Sequence, residues 1–268
     1  MHSLMGSPKT QEPARTRATA ASPRPAAGRQ LEEGVHVIGL SKGRKGAYRK
    51  GGYSRAYLFE DGDRLTLVDA LFDDDAQLII DYLWSIGRAP ADLTDIVLTH
   101  SHRSHIGGVA TLKRISGARV WCHASEAAVV EGTESLPPIA LWPLRPLALY
   151  PIRVLSYLPY KPHIPCKVDC RPEEGDQIGS LKVLHVPGHT PGNIALLWRD
   201  RVLVVADMIL TWPKFGPGWP GFNGDESLYR RSLQRLLDLE PEIVCVAHGE
   251  PICENAQQLL ATLDRRRP

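Results

Sequence analysis

The sequence predicts an α+β fold, a four-layer αββα sandwich, and three observations carry that reading. Strand-like and helix-like segments follow one another in the order β-rich, αβ, insertion, β-rich, αβ, which describes two similar layered halves. Within each half, short apolar runs are joined by hairpin-sized turns. The chain has 268 residues, 43% of them apolar, enough to bury a full core without disulfides or partners.

In the first half, Val35 to Leu40, Arg55 to Phe59 and Arg64 to Val68 read as strands, the last two joined by the turn residues Glu60, Asp61, Gly62 and Asp63. Asp73 to Asp75 then place carboxylates ahead of a helix whose apolar residues Leu78, Ile79, Tyr82, Leu83 and Ile86 recur at helical spacing before Gly87. Strand Thr94 to Leu98 runs into Thr99-His100-Ser101-His102-Arg103-Ser104-His105. Gly107 and Gly108 open a helix to about Ile115, Arg119 to Cys122 is a strand, and Ser125 to Val130 a short helix.

Residues 132–180 differ in character, with eight prolines from Pro137 to Pro165 among Trp142, Tyr150, Tyr157 and Tyr160. They predict a proline-stiffened insertion in a domain spanning 34–268. Strands resume at Lys182 to Val186, Ile194 to Trp198 and Val202 to Ala206, the last pair a hairpin around Arg199-Asp200-Arg201. The loop from Trp212 to Gly224 precedes a helix from Asp225 to Leu239, a strand from Ile243 to Val246 and a final helix from about Asn255 to Arg265.

The net charge of +2 is unevenly spread, because residues 1–30 carry +4 and the rest −2. Residues 1–33 predict a disordered basic tail. Its prolines oppose an amphipathic helix, although its basic, acid-poor composition keeps organellar targeting open beside a cytoplasmic location. A nearly neutral body argues against nucleic acid as a partner, and the most apolar stretch, Pro138 to Leu158, is too broken by prolines and arginines to span a membrane. Five cysteines in a chain of this length point to free thiols and a reducing compartment.

Half of the ten histidines form the informative pattern. His100, His102 and His105 fall within six residues, and in an extended segment positions two apart point to one side, so His100 and His102 converge. A turn at Arg103-Ser104 brings His105 close to a second ion. His189 sits in Pro187-Gly188-His189-Thr190-Pro191-Gly192, Asp207 follows the apolar strand 202–206, and His248 follows the strand 243–246 before Gly249. The repeated theme is an apolar strand, a metal-ligand residue type, then a turn. A surface histidine cluster is the alternative reading.

These segments, with Val68-Asp69-Ala70, resemble the metallo-β-lactamase superfamily of metal-dependent hydrolases over about residues 35–260. The resemblance implies the same αββα sandwich with metals in a cleft at one edge. It implies His100, His102 and His189 as ligands of a first ion, His105 and His248 of a second, Asp207 as the bridging carboxylate and Asp69 in support. The family's His-x-His-x-Asp-His carries Asp where this chain has Ser104. A serine hydroxyl is a poor ligand and a poor base, so the second site should be weakened and nucleophile orientation should fall on Asp207 and water. A dinuclear site with a weaker second ion, a mononuclear site and a degenerate site all stay open.

The expected cofactor is zinc, one or two ions per chain, with Fe²⁺ an alternative. The expected activity is hydrolysis of an acyl bond (ester, thioester, lactone or amide) by hydroxide generated from bound water. The partner is a small-molecule substrate, with a homodimer an open option. Trp142 to Tyr160 and the residues Trp212, Phe215, Trp219 and Phe222 either wall an apolar pocket or pack on the sandwich or a second subunit. Lactonases of this superfamily usually place a tyrosine just after the bridging aspartate, where this chain has Met208-Ile209-Leu210, which lowers the acyl-homoserine lactone reading. Two rivals remain: an iron-dependent persulfide dioxygenase using His100, His189 and Asp207, and a non-enzymatic binding protein of the same fold. His163, Cys166 and Cys170 form an incomplete second metal set.

Overall fold

A computed structural model describes residues 27–39, 54–135, 162–218 and 222–264. Its first sheet has six strands in sequence order: β1 (Gly28–Glu32), β2 (Val35–Ile38), β3 (Ala56–Asp61), β4 (Arg64–Val68), β5 (Asp95–Leu98) and β6 (Arg119–Cys122). Antiparallel pairing runs from β1 to β4 and parallel pairing from β4 to β6. The second half builds β7 (Gln177–Ile178), β8 (Leu181–His185), β9 (Ile194–Trp198), β10 (Val202–Ala206) and β13 (Ile243–Val246), ordered β13-β10-β9-β8-β7, with β10 and β13 parallel. A small ribbon pairs β11 (Ile209–Leu210) with β12 (Gly216–Pro217).

Strand periodicity builds the layers. In β3, Ala56 and Leu58 face one way and Tyr57 and Phe59 the other; in β5, Ile96 and Leu98 oppose Val97. The first set packs under helices α1 (Gln77–Ser85), α2 (Arg103–Ile106), α3 (Val109–Ser116) and α4 (Ala124–Val130). The second set meets Ile194, Leu196, Trp198, Val202, Val204, Ile243 and Cys245 of the other sheet, forming the apolar layer between the sheets. The alternate residues Ala195, Leu197, Leu203, Val205, Val244 and Val246 pack under α5 (Glu226–Leu237) and α6 (Ala256–Asp264). Strands buried on both faces read as near-continuous apolar runs, and their two-residue alternation delivers the predicted αββα order.

Several expected boundaries shift. β1 starts at Gly28, inside the segment expected as tail; it pairs through its backbone with β2 while Arg29 and Gln30 stay exposed, so hydrophobic patterning does not reveal it. The turn of the first hairpin shrinks to Gly62-Asp63, since Asp61 pairs with Arg64. In the second hairpin Arg199 and Asp200 both take positive φ, 48° and 54°, matching the twist of the flanking strands. The stretch after His102 is already helical as α2. α1 starts at Gln77, where Asp75 Oδ1 accepts from the Gln77 amide at 3.1 Å, and α5 is capped by Asp225, whose Oδ1 accepts from the Leu228 amide at 2.8 Å.

The segment expected as one insertion, 132–180, divides. Its tryptophan and tyrosines, with Trp219 and the N-terminal 26 residues, lie outside the described residues. From 162 onward the chain belongs to the sandwich: the Cys166 amide bonds Val130 O, the Asp169 amide bonds Val120 O, and β7 joins the second sheet. All five cysteines are free thiols. No helix among the described residues is long and apolar enough to cross a membrane.

Candidate metal centre

Parallel pairing brings the ends of β4, β5, β10 and β13 to one edge, together with the loop between β8 and β9. Asp69 follows β4, Thr99 to His105 follow β5, Asp207 follows β10, His248 lies just beyond β13, and His189 lies in the β8–β9 loop. Pairing shifts register between Val204 and Ala206, and Ala206 has φ 47°, so a bulge re-aims the chain as it reaches Asp207. Gly188 has φ 129°, and a Cβ there would lie 2.1 Å from the Tyr229 amide nitrogen; only glycine lets the loop approach α5 closely enough to present His189.

Two groups of ligand atoms result, each with its atoms within 4.8 Å of one another: His100, His102, His189 and Asp207, and His105, Asp207 and His248. In the first, His102 Nδ1 stands 3.0 Å from His100 Nε2 and 3.1 Å from His189 Nε2, while Asp207 Oδ2 is 3.4 Å from His189 Nε2 and 4.0 Å from His100 Nε2. In the second, Asp207 Oδ1 is 3.4 Å from His105 Nε2 and 3.3 Å from His248 Nε2. One carboxylate thus turns an oxygen to each group. Four ligands about 2.0–2.1 Å from one tetrahedral ion stand roughly 3.3 Å apart, the spacing seen here.

Hydrogen bonding behind the ligands supports a cation. Asp69 accepts the Thr99 hydroxyl at 2.9–3.0 Å, which commits that proton and leaves Thr99 Oγ1 to accept from His100 Nδ1 at 3.1 Å. His189 Nδ1 meets Asn223 Oδ1 at 3.2 Å, the amide being oriented by its Nδ2 bond to Glu226 Oε2 at 3.0 Å. Both histidines therefore carry their proton on Nδ1, and both Nε2 lone pairs point at His102 Nδ1, which can satisfy only one of them. In the second group the buried atoms His105 Nε2 and Asp207 Oδ1 have no well-directed hydrogen bond, although they face each other. Convergent lone pairs and a buried carboxylate oxygen without a well-directed partner are what a metal ion would satisfy, His105 giving up its Nε2 proton to hold one.

Charge sorts the same residues. Burial, reinforced by the neighbouring His105, His102 and His189, holds His100 well below the usual histidine range. Burial and then His189 take His102 down to about 3. Both are thereby neutral, the form that ligates. Burial also depresses His105, but Asp69 and Asp207 outweigh it and raise the group to about 10. Burial would raise Asp207, yet His248 and His105 hold its carboxyl well below the carboxylate range.

All six expected ligands meet at this edge. Ser104 lies half-buried in α2 directly before His105. Asp69 takes the supporting position expected of it, its Oδ2 accepting from His105 Nδ1 at 2.7 Å. Replacing it in Asp69→Asn should weaken the His105 group for zinc by about 10–100-fold, the usual worth of an outer hydrogen-bond partner. Chelator-competition titration measures this, and an unchanged affinity in a folded variant would refute the assignment. Sequence reasoning missed Thr99, Asn223 and Tyr229, whose roles depend on neighbours distant in the chain. Tyr229 donates to Met208 O at 2.6 Å and accepts from the Gly218 amide, tying α5 to the loop after Asp207.

His163, Cys166 and Cys170 do not assemble as a ligand group among the described residues; His163 Nε2 bonds Val130 O at 3.0 Å. His36 bonds the Tyr82 hydroxyl at 2.8 Å, and His123 stacks on His185 at 4.4 Å, so these three serve the fold.

Comparison with known proteins agrees with this geometry. Residues 49–248 match the family described as the metallo-beta-lactamase superfamily. The chain is similar to the probable metallo-hydrolase YflN of Bacillus subtilis (strain 168), 29% identical over 203 residues, covering 69% of this chain and 75% of that protein. It is 33% identical over 163 residues to a hydroxyacylglutathione hydrolase of Pseudomonas paraeruginosa, covering 58% of this chain and only 47% of that enzyme. Among solved structures it resembles TTHA1623 in a di-iron-bound form, with TM-score 0.52 and 27% identity over 74% of this chain and 89% of that one.

Proposed function

The chain belongs to the metallo-β-lactamase superfamily, and from that premise we propose that it is a metal-dependent hydrolase of an acyl bond in a small molecule, an ester, thioester, lactone or amide. The observation that carries the reading is Asp207, one oxygen turned to each of two histidine groups. His100, His102 and His189 would hold the first divalent ion, His105 and His248 the second. An ion so held would lower the pKa of a bound water to about 7 and polarise a carbonyl, which would make a serine or cysteine nucleophile unnecessary.

The chain's own residues prepare that site. Asp69 and Thr99 fix the Nδ1 proton of His100, and Asn223 fixes that of His189, so each presents Nε2 as a lone pair. The hydrolase named in the Pseudomonas relative supports the acyl reading and puts thioesters first among substrates to assay. His102 Nδ1, within 3.1 Å of both His100 and His189, favours a three-histidine first site over the two-histidine set of the dioxygenase reading. Zinc is the expected metal, and the di-iron form of TTHA1623 supports iron as the alternative.

The test is metal content combined with turnover of simple thioesters and esters before and after chelation. Removal should abolish hydrolysis, and added Zn²⁺ or Fe²⁺ should restore it. Activity that survives complete metal removal would overturn the proposal.

A further inference from the structure

Glu126, in the first turn of α4, is only 2% exposed, and no step described above uses it. A carboxylate buried so deeply needs hydrogen bonds in place of the water it has lost. Its bonds go to the two segments that carry the first metal group. Oε2 accepts from the Ser101 amide at 3.1 Å and from the Ser101 hydroxyl, and Oε1 accepts from the Gly192 amide at 2.7 Å. Ser101 separates His100 from His102, and Gly192 lies three residues past His189.

These segments leave opposite sheets. Residues 99–102 extend β5 of the first sheet, and 186–193 connect β8 and β9 of the second. A backbone bond from the Ile194 amide to Thr99 O, 3.0 Å, joins their roots; Glu126 joins them beside the histidines. The fit is close: a Cβ on Gly192 would lie 2.6 Å from Glu126 Cγ and 2.8 Å from His123 Nδ1. Three donors converging on one side chain suit a group whose two oxygens both accept. Glutamine supplies one such oxygen and would turn an amino group toward an N–H.

We propose that Glu126 is a positioning residue that clasps the two halves of the sandwich together and sets the separation between His189 and the His100–His102 pair. The affinity of the first metal site then depends on Glu126, while the His105–Asp207–His248 group does not. This rests on the metal-centre reading given above.

The experiment titrates the full chain with Zn²⁺ against a chromophoric chelator in two backgrounds. His248→Ala leaves the first histidine group intact, and His100→Ala leaves the second. Adding Glu126→Gln should weaken zinc about 10–100-fold in the first background and less than about threefold in the second. Equal weakening in both, or none in the first, overturns the proposal. So does a lowered melting temperature of the metal-free protein with zinc affinity unchanged, which is the signature of a merely structural role. If Glu126→Gln fails to fold, Ser101→Ala removes the hydroxyl bond alone and should weaken the first site by about threefold to tenfold; unchanged affinity there overturns the proposal as well. A chain with all ligands native that binds no zinc would instead sink the metal-centre reading itself.

Discussion

If the chain has the activity proposed above, Asp207→Asn should abolish acyl hydrolysis and leave the protein unable to hold two metal ions. Asparagine keeps the volume of the side chain but replaces one oxygen with an amino group, which donates and cannot ligate. Asp207 Oδ2 faces the first histidine group and Oδ1 the second, so whichever way the amide settles, one group loses its only carboxylate oxygen. The charge is lost for both. Weaker binding at both groups would leave bound water less acidic and misplaced, and hydrolysis at neutral pH should fall by on the order of 10³-fold or more. Metal content by plasma emission and thioester turnover measure the two effects together. Asp207 is also, after Asp69, the second carboxylate that raises His105 to about 10, so the variant removes one of the two acidic partners of that buried imidazole. A variant that keeps both ions and native turnover would refute the bridging role.

The layers were legible in the sequence because strands buried on both faces leave unbroken apolar runs, as in Val202 to Ala206 and Ile243 to Val246, with Asp207 and His248 just past them. The six candidate ligand positions could be named because His100, His102 and His105 cluster after one strand and the segments around His189, Asp207 and His248 resemble the family's motifs, not because any one strand-end residue is diagnostic. β1 was not legible, since it contributes backbone bonds and little apolar surface. Thr99, Asn223 and Glu126 were hidden for a different reason. Each earns its place by a hydrogen bond whose partner is fixed only by tertiary structure, as when Glu126 reaches Gly192 66 residues away. The short helix α2 also escaped notice, because four residues are too few to show a helical period.

Ser104→Asp should raise both the occupancy of the second site and the rate of hydrolysis. Ser104 immediately precedes His105 at the start of α2, is half-buried, and stands where the family's His-x-His-x-Asp-His motif carries Asp, so a carboxylate there should reach the group formed by His105, Asp207 and His248. In the native chain two divalent ions would share the single ligating carboxylate of Asp207, with Asp69 acting only from behind His105 through a 2.7 Å hydrogen bond. An added carboxylate ligand cancels one of the excess positive charges and completes a coordination position that water must otherwise fill. An outer partner is worth about 10–100-fold in metal affinity, so a direct ligand should strengthen the second ion by at least about tenfold. The increase should appear in competition titrations as a second tight equivalent of zinc, and in turnover as a rise in kcat, because the new carboxylate can also orient the attacking water. Unchanged stoichiometry together with unchanged kcat would mean that the serine does not limit the second site and that this chain works with the ligands it already has.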